Sequence, residues 1–276
     1  MPVAETVITS LGELLDRVTP SAPDPALGRR RDLGVYHGAV DATRPLLTTL
    51  DRLGGISPPH TKLELEEHIL RNFIRYSRPY LGGSSSGNDW ELLVAAQHHG
   101  VPTRLLDWTY SPLIAAFFAT RAGHRHILER DDRSDGNDRA IWRLDWQIVH
   151  EAFGLPRLAL LIEDLETVMG AGNPCTPWRL FARTSRDAEF ACLLEPPSLD
   201  ARIVAQAAVF TLCSSKCESF DAFLDRHDLT RALTKLVIPA QHVAQVRDQL
   251  DLVSVDERRL FPDLDGVAAA LRRYYA

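Results

Sequence analysis

Apolar side chains recur at helical spacing in several parts of the chain. Over residues 5–18 they fall at intervals of three, six, seven and ten residues from Ile8, which predicts an amphipathic helix. The same type of stripe is strongest in KLELEEHILRNFIRYS, the segment from Lys62 to Ser77. Similar patterns predict further helices over residues 90–98, 111–121, 241–250 and 263–275.

Alternating apolar and polar residues predict strands. In residues 140–146, three large apolar side chains alternate with Arg143 and Asp145. Shorter apolar runs next to turn residues predict strands at residues 33–37, 104–108, 189–195, 206–212 and 235–239. These strands and helices follow one another without a regular βαβ period. We therefore expect an α+β fold with a mainly antiparallel sheet rather than a doubly wound one.

Two loops and one connector interrupt these elements. Residues 81–89 and 123–139 are rich in polar residues and predict surface loops. Prolines 20, 23 and 25 mark a connector that cannot be helical throughout. The predicted organisation is therefore an N-terminal helix and connector over residues 1–27, followed by one domain over residues 28–276.

Composition excludes several classes of protein. The chain has 276 residues, is 45% hydrophobic and has a net charge of −6, which is typical of a folded globular protein. Four cysteines are too few for a disulfide scaffold. The mild acidity argues against a broad nucleic-acid surface. The sequence shows neither a secretory signal nor an apolar stretch long enough for a membrane helix, so we expect a cytoplasmic protein with no membrane partner.

The densest group of functional side chains is QHHGVPTRLLDWT, at residues 97–109. A structural interpretation is a turn at Gly100 followed by a buried strand with an ion pair. Arg104 and Asp107, however, are three residues apart in an extended segment, so their side chains leave on opposite faces. We expect the Asp107 carboxylate to accept N–H bonds where the next helix begins. Arg104 is expected to pair with a distant carboxylate or to hold an anionic ligand.

This segment and the helix that follows it resemble the signature of the FRG domain, a family named for a (Phe/Tyr)-Arg-Gly motif. Tyr36-His37-Gly38 stands where that motif belongs, with His37 in place of arginine. Two weaker similarities follow in the same order as in the family. One is the segment from Arg202 to Phe210, with its Arg…Gln…Phe spacing, and the other is the closing segment over residues 260–266. The resemblance runs from about residue 30 to the end of the chain.

A strand that ends in His-Gly also resembles the first motif of the ADP-ribosyltransferase superfamily. This resemblance implies an α+β fold with a split, mainly antiparallel sheet and helical insertions. It implies NAD as substrate and no metal. The acceptor would be a macromolecule, protein or nucleic acid, and a toxin or phage-defence role with an antitoxin or immunity partner would fit. It implies catalytic positions at His37, Thr109 and Gln206, and cofactor-binding positions at Tyr36, Gly38, Arg104, Trp108 and Phe210.

Gln206 stands where that superfamily usually has glutamate. Cleaving the nicotinamide–ribose bond develops positive charge on the ribose, which a carboxylate stabilises and an amide does not. The loss of one such electrostatic contact costs about 2.7–4 kcal/mol, or roughly 100- to 1000-fold in rate. Asp107, Glu195 and Glu218 are carboxylates that could replace it.

Other interpretations of the same residues remain open. The pocket could bind a nucleotide or a partner without catalysis, with Gln206 a buried amide that braces the backbone across the Pro196-Pro197 loop. His37 could be a structural histidine, and Ser111 could simply cap a helix. A third hypothesis is a hydrolase built on His98, His99 and Asp107.

Overall fold

The computed structural model describes residues 3–25, 28–54, 61–80, 89–121, 136–169, 176–181, 189–214 and 219–275. Most of both predicted polar loops, and Glu218, lie outside these ranges. Within them, no helix is long and apolar enough to cross a membrane.

The described residues form one seven-stranded sheet with the order β1-β7-β4-β2-β3-β6-β5. Its strands are β1 (Ala4–Val7), β2 (Val35–Ala39), β3 (Leu106–Thr109), β4 (Arg139–Leu144), β5 (Ala191–Leu194), β6 (Ala208–Cys213) and β7 (Leu233–Ile238). β1 and β7 are parallel, and the other neighbours are antiparallel. This confirms the predicted α+β class with a mainly antiparallel sheet.

One junction in the sheet is much weaker than the others. β2 and β3 share a single residue pair, Tyr36 with Thr109, whereas β2 pairs with β4 over five residues. Beyond that pair the two strands separate. We call this junction the seam, and it divides the sheet into β1-β7-β4-β2 and β3-β6-β5.

Helices cover both faces of the sheet. They are α1 (Leu11–Val18), α2 (Thr49–Arg52), α3 (Lys62–Ser77), α4 (Asp89–His98), α5 (Pro112–Thr120), α6 (Trp146–Ala152), α7 (Ile162–Met169), α8 (Pro177–Phe181), α9 (Ala201–Ala205), α10 (Phe220–Arg226), α11 (Val243–Leu252), α12 (Glu257–Leu260) and α13 (Leu264–Tyr275). The helices predicted from residue 62 onwards are confirmed, with ends shifted by one or two residues. α3 begins with a capping box between Thr61 and Glu64, and Ser111 caps α5.

The structure corrects the predicted helix over residues 5–18. Residues 4–7 form β1 instead, because their backbone groups pair with β7 at the edge of the sheet. The helix begins only at Leu11, where the Ser10 side chain accepts a hydrogen bond from the Glu13 N–H. α1 then packs Leu14 into the same cluster as Tyr36, so residues 8–18 share the core of the later chain.

The strand ends are also shifted from the predicted bounds, and two of these shifts change the element to which a residue belongs. Trp146 begins α6 rather than ending β4, although its side chain still packs beside Trp142 in one cluster. Gln206 closes α9, and β6 starts two residues later. The intervening Ala207 has a φ of 44°, which turns the chain from helix into strand.

α5 lies unusually close to β2. A Cβ atom on Gly38 would lie 2.1 Å from the Ala115 carbonyl oxygen and 2.6 Å from the Ala119 nitrogen. Only glycine allows the two backbones to approach in this way. The helix thereby buries Tyr36 and leaves the opposite face of the sheet to Trp108 and Trp142.

Candidate active site at the seam

His37 occupies the opening of the seam. Just past the Tyr36–Thr109 pair, its Nδ1 lies 2.7 Å from the Asp107 backbone oxygen. A carbonyl can only accept, so Nδ1 carries the proton and Nε2 has a free lone pair. The imidazole ring also lies 5.7 Å from the Trp108 ring, centroid to centroid. The side chain therefore bridges the two strands where their backbone ladder has ended.

The His37 imidazole is neutral at physiological pH. Burial among protein atoms lowers its pKa to about 4, and the nearby Arg52 charge acts in the same direction, against the Asp107 carbonyl. The residue is nevertheless only half-buried. Among the described residues none donates to Nε2, which keeps its lone pair as a hydrogen-bond acceptor.

Asp107 contributes a second group to this region through its carboxylate. Its Oδ2 accepts a hydrogen bond of 2.8 Å from the Gln97 Nε2, and the Gln97 Oε1 accepts one of 2.6 Å from the Thr103 hydroxyl. These two bonds fix both the amide and the carboxylate. Surrounding protein raises the Asp107 pKa, although Gln97 and Arg52 oppose the shift. Solvent reaches the side chain, as it does at His37.

Arg52, at the end of α2, connects the two groups electrostatically. Its guanidinium is close enough to influence the pKa of both His37 and Asp107. The side chain is exposed. We call His37, Arg52, Gln97 and Asp107 the seam crevice. The Asp107 carboxylate leaves β3 on the face opposite Trp108, which the His37 ring contacts, so one ligand would meet both groups only across the open seam. The positive charge of Arg52 suits a ligand that carries negative charge.

Most of the predicted cofactor-binding residues are core residues here. Tyr36 is 1% exposed and its hydroxyl donates to Asp32. Phe210 packs in the cluster beneath α4, on the face of the sheet opposite Trp108, so these two rings do not flank one ligand. Gly38 lies under α5. Of these predicted residues, Trp108 is the one whose side chain contacts the His37 ring. The Trp108 indole N–H already donates to the Thr211 hydroxyl at 2.9 Å.

Arg104 is part of a buried ion pair. Its Nε lies 2.5 Å from Glu66 Oε2, and its backbone N–H donates to the other oxygen at 3.0 Å. The guanidinium also lies 3.6 Å from the Phe181 ring centroid. Both charged side chains are almost fully buried. Of the two roles predicted for Arg104, the structure shows the ion pair with a distant carboxylate.

The predicted helix cap at Asp107 is wrong. The N-terminus of α5 is capped by the Ser111 hydroxyl, which accepts from the Ile114 N–H at 3.4 Å. The Asp107 carboxylate is held by Gln97 instead, because it precedes the helix by five residues and lies on the strand.

A comparison with known protein families identifies a domain that contains this region. Residues 33–127 match the model of the FRG domain. The chain contains an FRG domain. The matched FRG residues include all four members of the seam crevice and end before β4. Searches of curated proteins and of solved structures found no match.

The two later segments that resemble the family lie outside the FRG match, and they contact each other. Arg202 forms an ion pair with Asp263, and the Gln206 side-chain amide donates to the Leu260 carbonyl at 3.0 Å. We call Arg202, Gln206, Leu260 and Asp263 the clamp. It joins α9 to the segment around α12. Gln206 braces the backbone there at Leu260, and not across the Pro196-Pro197 loop, where one interpretation placed it.

Of the three predicted catalytic residues, Thr109 and Gln206 contact each other, whereas His37 contacts Asp107 and Trp108. The Thr109 hydroxyl donates to the Gln206 backbone oxygen at 2.7 Å. Along β3, His37 lies beside Asp107, whereas Gln206 lies beyond Thr109, roughly 10 Å further at 3.3 Å per residue. With its amide committed to Leu260, Gln206 takes no part in the seam crevice.

The histidines of the hydrolase hypothesis have other neighbours. His98 Nε2 lies 3.4 Å from Asp200 Oδ1, and its ring contacts that of His99 edge to face. Asp107 is engaged by Gln97. In the described ranges, no three histidine, cysteine or acidic side chains are grouped to hold a metal ion.

Two members of the crevice were missed at the level of sequence. Gln97 begins the segment that drew attention, but nothing in its spacing reveals that it holds a carboxylate ten residues later. Arg52 lies in TTLDRLGG, which has no motif. Its importance comes from α2 packing against the chain at Thr103, where the Leu50 N–H donates to the carbonyl.

Proposed function

We propose that the FRG domain binds NAD at the seam crevice and cleaves the nicotinamide–ribose bond, transferring ADP-ribose to a macromolecular acceptor, protein or nucleic acid. The observation that carries this proposal is the neutral His37, held by the Asp107 carbonyl at an opening in the sheet beside an accessible carboxylate. The His-Gly motif supports NAD as the ligand by resemblance.

Each member of the crevice has a role in this proposal. His37 Nε2 accepts a hydrogen bond from a ribose hydroxyl, and Arg52 attracts the diphosphate. When the C–N bond breaks, its electron pair leaves with nicotinamide and positive charge develops on the ribose. The ionised Asp107 carboxylate stabilises that charge, in the place where Gln206 cannot. The acceptor nucleophile then bonds to the ribose carbon and loses its proton.

Nicotinamide release from NAD by the purified chain tests the catalytic proposal. Asp107→Asn should lower the rate of nicotinamide release roughly 100- to 1000-fold. The substitution removes the negative charge but leaves a side chain of the same shape next to Gln97. Glu195→Gln is the control, because that carboxylate follows β5 and is not part of the crevice. No release by the wild-type chain, with any acceptor from a cell extract added, would overturn the catalytic proposal.

A second candidate is nucleotide binding without cleavage. The clamp favours it, because the Gln206 amide is bound to Leu260 and supplies nothing to the crevice. Isothermal titration with NAD separates the two candidates. Binding that is lost in His37→Ala, without nicotinamide release, would support the second candidate, and absence of both binding and release would remove both.

A further inference from the structure

A pocket beside β3 and β6 lies outside the seam crevice. Leu106 of β3 and its partner Thr211 of β6 line it, so it opens on the same face of the sheet as Trp108. α2 and the starts of α3 and α10 enclose it from above. Its empty volume is about 310 Å³, counting the open mouth. A water molecule takes up about 30 Å³, so the pocket has room for a ligand of several heavy atoms.

Arg104 brings donor groups to this pocket that no described residue accepts. Its Nε binds Glu66 Oε2 at 2.5 Å, and the guanidinium lies 3.6 Å from the Phe181 ring centroid. Neither contact uses the two Nη atoms, which carry four of the five N–H donors of a guanidinium. The side chain is 3% exposed and lines the pocket. Because buried donors in proteins are nearly always bonded, the Nη atoms call for an acceptor inside the pocket.

Arg247 has the same kind of surroundings but no open donors of this sort. Its guanidinium also lies over a phenylalanine ring, 4.1 Å from the Phe117 centroid. Its Nη1 donates to the Phe117 carbonyl at 3.3 Å, and its Nη2 donates to the Glu257 carboxylate. Both Nη atoms are therefore satisfied by the protein. The comparison shows that a buried, ring-stacked arginine can be fully bonded in this fold, which Arg104 is not.

Two other side chains add donors to the polar side of the pocket. The Lys62 ammonium has three N–H donors and gives one to Asp51 at 2.5 Å. The Thr211 hydroxyl accepts from Trp108, and its own proton has no acceptor among the described residues. The ligand must therefore supply acceptors. Since each cation is already balanced by one carboxylate, Asp51 or Glu66, a single negative charge suits the pocket better than a double one.

We propose that this pocket binds a small organic monocarboxylate. The two carboxylate oxygens lie against the Nη edge of Arg104, which matches them in one plane, and Lys62 donates to one of them. The short apolar body of the ligand lies against Leu106, Cys213 and Phe220, which also line the pocket. The proposal is separate from NAD cleavage, because no member of the seam crevice lines this pocket.

Isothermal titration of the 276-residue chain with acetate, propionate and butyrate tests the proposal. We expect saturable binding that becomes roughly fourfold tighter with each added CH₂ group, because each one is buried against the apolar lining. Inorganic phosphate should bind more weakly than butyrate. Tighter binding of phosphate, equal affinities for the three carboxylates, or no saturable binding of any of them would each overturn the proposal.

Two variants locate the binding in this pocket. Arg104→Lys keeps a positive charge beside Glu66 but removes the Nη edge, and it should weaken butyrate binding by at least about tenfold. Arg247→Lys is the matched control and should leave the butyrate affinity unchanged, since Arg247 does not line the pocket. Cys213→Leu puts a bulkier side chain in the pocket without touching either ion pair, and it should also weaken butyrate binding by at least about tenfold.

Circular dichroism shows which of these variants are folded. Cys213→Leu keeps the proposal open to refutation if Arg104→Lys does not fold. An unchanged butyrate affinity in either folded variant would place the binding elsewhere and overturn the proposal.

Discussion

The seam crevice and the clamp both contain residues that resemble family motifs, yet their polar groups are used differently. In the clamp, Arg202 is neutralised by Asp263 and the Gln206 amide is bonded to a backbone carbonyl. In the crevice, Nε2 of His37 keeps a free lone pair and the Asp107 carboxylate is reached by solvent. Whether a motif residue has a functional or a structural role therefore depends on the partners of its polar atoms. The spacing of the motif along the chain does not reveal those partners.

Arg104→Ala should give the largest loss of stability, about 3–5 kcal/mol, because it leaves Glu66 charged and buried without a partner. Arg157→Ala, in an ion pair that is about two-thirds exposed on both sides, should cost less than about 1 kcal/mol. Urea unfolding measures both. A stable Arg104→Ala chain that had lost NAD binding would instead move Arg104 into the crevice.

Gly38, next to His37 of the seam crevice, and Gly266, near the clamp, should both be intolerant of substitution. Gly38→Ala and Gly266→Ala each force a Cβ atom into a backbone carbonyl, and each should destabilise the chain by about 1–3 kcal/mol. Gly12→Ala is the control, since its Cβ would meet nothing closer than 3.7 Å inside α1 and should stabilise by about 0.5–1 kcal/mol. Thermal unfolding of the three variants gives the comparison. Normal stability of Gly38→Ala would mean that α5 can move away from β2.

Gln206→Leu separates the two regions by their effects. It removes the hydrogen bond to Leu260 and should lower the free energy of unfolding by about 0.5–1.5 kcal/mol. NAD affinity and any nicotinamide release should not change once the folded fraction is equal. A catalytic loss without a stability loss would return Gln206 to the active site and remove the distinction between clamp and crevice.

The last prediction concerns the dependence of stability on pH. Because the folded pKa of His37 is about 4 and the unfolded value is near 6.5, the unfolded chain binds the extra proton between these values. Stability therefore falls as pH decreases from about 6.5 to 4. His37→Gln should reduce this slope. Urea unfolding at pH 7 and pH 5 checks the difference, and equal slopes for wild type and His37→Gln would contradict a buried neutral imidazole.

The parts of the fold that follow from local physics could be predicted from the sequence. α3 has a long apolar stripe and its own capping box, and α5 has a serine cap followed by proline. β1 could not be predicted, because its four residues are held by β7, more than 220 residues away. Its apolar residues continue the helical spacing of α1, so periodicity favours the wrong structure there.

In the candidate site, too, some residues could be identified from the sequence and others could not. His37 and the segment over residues 97–109 could be identified from residue type and family resemblance. The partner of Arg104 could not, since Glu66 is one of several acidic residues on α3 and only packing selects it. Gln206 was expected at the head of a strand, but the positive φ of Ala207 moves the start of β6 and turns the amide towards Leu260.

The pairing of β1 with β7 has a consequence for how the chain folds during synthesis. Residues 4–7 emerge from the ribosome long before their partners, residues 234–237. At about 5–20 residues per second, the intervening chain takes roughly 10–50 s to be made. Throughout that interval the edge of β1 and the apolar side of α1 lack their final neighbours. β1 therefore makes contacts of high sequence separation, and the segment that carries β1 and α1 is where a nascent-chain chaperone would bind for a long time.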